Sequence, residues 1–172
     1  VKLESAENKA NSLEKWKEDA MSIDKNIQEK IEDFRAKKVA KDFDCRYSKY
    51  TRKKIEAEDY KVLERLTHEY ERLSSAEKNY VTVDMKEISE RTVESAKLYA
   101  KEAEKKIEEI CNSSEGNRHY RSQLADTVSY YNHVPSFVRV MIASSLIRRL
   151  NAMNDEANND YRRYKREQEI SN

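Results

Sequence analysis

Residues 3–34 read LESAENKANSLEKWKEDAMSIDKNIQEKIEDF, and the fold class follows from the spacing of their apolar side chains. Leu3, Ala6, Ala10, Leu13, Trp16, Ala20, Ile23, Ile27, Ile31 and Phe34 follow one another at steps of almost only three or four. Such steps draw one stripe along an α-helix, whereas a strand would alternate with a period of two. No Gly or Pro interrupts the stretch, and Val39, Phe43, Tyr47 and Tyr50 are expected to continue the same stripe. Val62, Leu66, Tyr70, Leu73, Ala76 and Tyr80 repeat the pattern. Residues 1–80 are therefore expected to be long helices, either one continuous rod or two joined by a tight turn somewhere in 35–60.

Beyond residue 80 the punctuation becomes clearer. Val81, Thr82 and Val83 are rich in β-branched side chains, and Asp84 stands three residues before Glu87 at the spacing of a capping box. A helix over 84–111 is expected, carrying Met85, Ile88, Ser95, Tyr99, Ala103, Ile107 and Ile110 on its inner face. Asn112-Ser-Ser-Glu-Gly116-Asn117 follows as a loop at 112–117. Residues 118–172 are rich in Arg where the earlier chain favours Lys. Leu124, Val128 and Tyr131 mark a short helix there, and Pro135 marks a boundary. The last helix is expected to hold Val138, Met141, Ile142, Leu146, Leu150, Met153 and Ala157, most deeply buried in its first half, with a polar end from Asp155 onward.

Composition supports this reading. The 172 residues include one Gly and one Pro. Turns that need a positive φ can then hardly be built, which excludes a multi-stranded β fold and a Gly-rich phosphate loop. A mean hydropathy of -1.07 is too polar for a thick core and suits helices that each bury one stripe. The expected fold is all-α: a single helical domain over 1–172, shaped as an elongated antiparallel bundle or coiled coil of about four or five helices. A second copy is expected to complete it as a homodimer, because long amphipathic stripes need a surface to bury against.

Candidate chemistry is sparse. His68, His119 and His133 are far apart and lack the Glu-x-x-His or His-Glu-x-x-His spacing of carboxylate-bridged or zinc sites. The serines lack a nucleophile-elbow context. Acids and bases alternate in ladders such as Glu102-Glu104-Lys105-Lys106-Glu108-Glu109, the pattern of solvated helix faces. No catalytic residue, metal site, cofactor or small-molecule substrate is expected, and the chain reads as a non-enzyme. Cys45 and Cys111 have no metal spacing and fit a reducing compartment. Bridged to one another they would instead mark a secreted protein, with Asn112-Ser113-Ser114 as a glycosylation sequon. No run of the chain reaches the roughly 18 apolar residues of a spanning helix. Val1 reads as a processed or recombinant terminus, and a cytoplasmic or peripheral-membrane location is expected.

Charge distribution is more informative than the net charge of +1. Residues 1–34 carry 6 bases and 9 acids, whereas residues 35–54 carry 9 bases and 2 acids. The basic segment comprises Arg35, Lys37, Lys38, Lys41, Arg46, Lys49, Arg52, Lys53 and Lys54, interleaved with Phe43, Tyr47 and Tyr50. Three roles are open to it. It can meet an anionic membrane surface, where each base near the lipid contributes about 1 kcal/mol. It can pair with the acidic helix of residues 55–112 and set register. A nucleic-acid backbone is the least favoured partner, since acidic flanks repel phosphate and no base-reading motif accompanies the segment.

Lys41-Asp42-Phe43-Asp44, followed by Arg46, Lys49, Arg52, Lys53 and Lys54, resembles the aspartate–aromatic–aspartate step with trailing bases in the long helices of BAR domains. Val134-Pro135-Ser136-Phe137 with Arg139 is similar to a helix start in amphiphysin-like members of that family. The resemblance implies an antiparallel helical dimer whose basic positions in 35–54 contact anionic lipid. The expected function is thus a non-catalytic scaffold that self-associates and binds an anionic membrane or acidic partner. The alternatives are a protein–protein adaptor or cytoskeletal coiled-coil module, and a secreted helical host-interaction protein.

Overall fold

The computed structural model describes residues 2–113 and 119–170, with side chains from residue 9 onward. The described residues contain helices and turns and no strand, so the chain is all-α. Helix α1 spans Lys2–Tyr47, α2 Tyr60–Arg72, α3 Ser75–Lys78, α4 Met85–Cys111, α5 Tyr120–His133, α6 Ser136–Arg139 and α7 Ser144–Ile170. None of these is long and apolar enough to cross a membrane. By their contacts the residues group into two compact units, Val1–Arg52 with His68–Asp84, and Lys53–Thr67 with Met85–Asn172.

In the first unit, α1 stays helical for 46 residues because nothing in it breaks the ladder. Of the two arrangements open for 35–60, the structure has the interrupted one: α1 tightens into a 3-10 turn at Ser48–Thr51, where the Thr51 hydroxyl donates to the Ser48 carbonyl at 2.8 Å. Ala36, Ala40, Phe43, Tyr47 and Tyr50 are buried. The Phe43 ring lies 4.8 Å from Tyr47 and 6.0 Å from Tyr70 by ring centroid. Helix α3 packs on α1. A capping box starts α3: Ser74 Oγ accepts from the Glu77 amide at 3.3 Å, and the Glu77 carboxylate accepts from the Ser74 amide at 2.7 Å.

The first stripe does not continue into this buried set. At about 100° per residue, Leu13 through Phe34 centre on one side of α1, and Ala36 through Tyr47 centre roughly 170° away. The phase changes at the two-residue step from Phe34 to Ala36. What reads as one continuous stripe is two stripes on opposite faces. Only the second is covered.

In the second unit α4 is the central element, contacted by a 3-10 turn at Ala57–Asp59 and by α5, α6 and α7. Helix α4 begins directly after Asp84, as the capping spacing predicts. It buries Ile88, Ser95, Ala96, Ala100, Ala103, Ile107 and Ile110. The three alanines let neighbouring backbones approach closely, and Tyr60, Leu124, Val134, Val138, Ile142 and Leu150 fill the space against them. Ser95 is fully buried and satisfied, its hydroxyl donating to the Glu56 carbonyl at 2.6 Å.

The expected last helix is in fact two. Helix α6 ends at Arg139, and α7 starts at Ser144. The Ala143 amide at the start of α7 donates to the Glu104 carboxylate at 2.8 Å, so an α4 side chain takes over a bond the helix cannot make for itself. Val138 at the end of α6 and Ile142 within the break are both buried, and the polar end of α7 stays helical and exposed to Ile170. Asn112 and Ser113 follow α4, whereas most of the expected 112–117 loop, including Ser114 of the sequon and Gly116, lies outside the described residues.

Candidate interaction surface on the first helix

The unburied stripe of α1 is the most distinctive surface of the chain. Leu13, Trp16, Ile23, Ile27, Ile31 and Phe34 are all exposed, Trp16 by 74% and Phe34 by 69%. Isolated exposed apolar residues are ordinary, but a row of large ones along a single helix face is not. Its C-terminal part forms an open groove of about 420 Å³, with Ile27, Ile31 and Phe34 as floor and Lys30, Arg35 and Lys38 as cationic rim.

The nine basic positions are not equivalent. Arg35, Lys38 and Lys41 are exposed along α1, with Lys38 and Lys41 falling on the side of the apolar stripe, away from Ala36, Ala40 and Phe43. Lys37 is engaged: its ammonium lies 2.7 Å from the Asp33 carboxylate and 5.1 Å from the Tyr80 ring centroid. The Tyr80 hydroxyl donates to the other Asp33 oxygen. The Lys37 hydrogen bond, reinforced by that from Tyr80, holds the Asp33 carboxyl below the usual carboxylate range, while the same bond raises the Lys37 ammonium.

Arg46 pairs with Glu69 at 2.9 Å and lies over the Tyr47 ring, and the Tyr47 hydroxyl donates to the same Glu69 carboxylate at 2.6 Å. Lys49 sits over Tyr50, and Arg52 is exposed. Lys53 and Lys54 belong to the second unit, where Lys53 pairs with Asp59 at 2.7 Å and Lys54 is exposed. The acids of 55–112 thus engage part of the basic segment, through Glu69 and Asp59.

Asp44 has a structural task that sequence reading missed. Its carboxylate accepts from the Thr82 amide at 2.9 and 3.1 Å, from the Thr82 hydroxyl at 2.6 Å and from the Val83 amide at 3.1 Å. It clamps the non-helical stretch 81–83 to α1. No local signal marks it, since Asp42 stands equally close to Phe43 and the Thr82 partner is 38 residues away.

The remaining titratable candidates do not converge. His68 is exposed and stands 3.4 Å from Glu71; His119 and His133 are exposed, with the His133 ring 2.7 Å from the Ser129 carbonyl. No three His, Cys, Asp or Glu among the described residues form a cluster able to hold a metal. Both cysteines are free thiols, Cys45 exposed and Cys111 buried, and burial pushes the Cys111 thiol up. A cleft of about 470 Å³ between α4 and α5 is lined by Lys106, Glu109, Gln123, Asp126, Thr127 and Tyr130. Lys106 stands 3.9 Å over the Tyr130 ring, and burial raises the Tyr130 phenol to about 12. No family model, curated protein or solved structure matches the chain.

Proposed function

We propose that the chain is a non-catalytic helical scaffold that works through α1, self-associating by its apolar stripe and meeting an anionic membrane surface or acidic partner by the bases that follow it. One observation carries the reading: Leu13 to Phe34 lie bare on the face of α1 opposite its packed stripe, and the same side leads into Lys38 and Lys41. A row of large apolar side chains is costly to leave in water, so its natural state is covered. The bases beyond it remain exposed for an electrostatic contact. The resemblance of Lys41–Lys54 to BAR-domain helices points the same way.

A pure protein adaptor or coiled-coil module is the second reading, favoured by the acids beside the stripe. Residues 1–34 hold 9 acids against 6 bases, which repels anionic lipid from that half of α1. Co-sedimentation with phosphatidylserine-containing and neutral vesicles, at low and moderate salt, separates the two. The membrane version requires binding to anionic vesicles alone, weakened by salt and lost in Lys38→Glu/Lys41→Glu. Absence of binding at both salts rejects the membrane version and leaves the adaptor.

A further inference from the structure

We infer that the stripe of α1 is covered by the α1 of a second copy running antiparallel, about a two-fold axis between Met21 and Ser22. The inference rests on the self-association half of the reading above and specifies its partner, direction and register. Leu13, Ala20, Ile27 and Phe34 recur every seven residues, as do Trp16, Ile23 and Lys30, so the exposed face is a heptad seam about 32 Å long. Beside the seam run Lys17, Asp24 and Ile31 on one edge, and Ser12, Asp19, Asn26 and Asp33 on the other. The packed stripe of α1 lies on the opposite side, which leaves the seam open to a partner helix.

Charge complementarity selects the occupant. In a parallel pair, Lys30 would face Lys30 of the second copy within the seam, and Asp19 would face Asp24 across its edge. In the antiparallel register centred between residues 21 and 22, Trp16 packs on Ile27 of the second copy, Ala20 on Ile23, and Leu13 on the methylene stem of Lys30. Lys17 then faces Asp24 and Ile31 faces Ala10, each contact occurring twice by symmetry. Moving the register one heptad either way restores repulsion: Asp24 meets Asp24 in one direction, and Lys17 meets Lys17 with Asp19 meeting Asp19 in the other. Of these three antiparallel registers, the central one alone places no like charges along the edges.

An anionic membrane is a poorer occupant, because the acids beside the seam would face lipid phosphates. The antiparallel pair also separates the two Lys38–Lys41 ends to opposite extremities, roughly 50 Å apart between Lys38 residues at 1.5 Å per residue. Paired in this way, the bases would contact an acidic surface at two points rather than one.

The test uses the full chain. Light scattering coupled to size exclusion reports mass, and a spin label on the native exposed Cys45 in a Cys111→Ser background reports direction. The antiparallel pair predicts a dimer with labels roughly 70 Å apart, whereas a parallel pair brings them within about 25 Å. Charge exchange checks the register. Lys17→Asp and Asp24→Lys should each weaken the dimer several-fold, and the double exchange should restore it. In a parallel pair Asp24→Lys would instead strengthen association by facing Asp19. Ile23→Asp/Ile27→Asp should yield a monomer with unchanged helicity from α4 to α7.

A dimer with the short Cys45 distance overturns the antiparallel inference and leaves self-association standing. A chain that stays monomeric at high micromolar concentration, with Trp16 fluorescence fully accessible to iodide, overturns both. Vesicle binding is measured separately, so the anionic-surface half of the reading stands or falls independently.

Discussion

Truncating Asp44 to Ala removes an acceptor on which four donor contacts converge, and the cost can be worked from where those donors sit. The Thr82 amide and hydroxyl belong to an exposed residue, so water replaces much of what they lose. The Val83 amide, 3.1 Å from Asp44 Oδ1, belongs to a buried residue and is left short of a partner. A hydrogen bond to a charged acceptor contributes about 1.5–3 kcal/mol net, and the discounted Thr82 contacts add a fraction of that. The local stability of the 81–83 clamp should therefore fall by about 2–3 kcal/mol, or roughly 30- to 150-fold in its opening equilibrium. Amide hydrogen exchange at Val83 reads this directly, with the α4 amides of Ala100 and Ile107 as controls in the same sample. Asp44→Asn, which keeps a single carbonyl acceptor, should fall between wild type and Ala. If Val83 exchange in folded Asp44→Ala accelerates no more than the α4 controls, Asp44 is not the clamp described here.

Three further outcomes are expected. Ile142→Asp places an unpaired carboxylate among Val138, Leu150 and α4, and should cost about 4 kcal/mol or more, seen as loss of near-ultraviolet dichroism and an early urea transition, while Ile142→Val costs only about 1 kcal/mol. Cys45 should react with a disulfide reagent at the rate of a free thiol and Cys111 only on unfolding, giving two reactive thiols under denaturing, non-reducing conditions; finding none would mean the two are bridged. The Asp33 carboxyl is held below its unfolded value, so its contribution to stability is complete above the ordinary carboxylate pKa and fades as pH falls through the lowered one; a carbon-13 titration of Asp33 should show the depressed midpoint, and Tyr80→Phe should move it partway back.

Much of the local structure was legible from spacing alone. The three- and four-residue steps of α1 and α4, the boundary at Pro135 and the start of α4 after Asp84 all depend on contacts within a few residues, which the sequence displays directly. The break between α6 and α7 was not, because it is stabilised by Glu104, a side chain 39 residues away. The Asp44 clamp is separated from Thr82 by 38 residues and was hidden for the same reason. The basic segment read as one surface because its residues are consecutive. Its members meet different fates once folded, Arg46 and Lys53 in ion pairs while Arg35, Lys38 and Lys41 face solvent.

The amino-acid sequence by itself determined that this protein is helical. With a single Gly and apolar residues at helical steps, no other backbone arrangement satisfies its hydrogen bonds and buries its side chains. Which of two similar stripes on α1 is buried was decided only by tertiary structure. Hydrophobicity shows that a face would gain by being covered, but covering it takes a neighbour of suitable shape. Among the described residues, Ala36 to Tyr50 have such neighbours, whereas the apolar side chains from Leu13 to Phe34 stay exposed. The difference lies in a two-residue step at Phe34–Ala36, which rotates the apolar face by half a turn and leaves the first stripe outward.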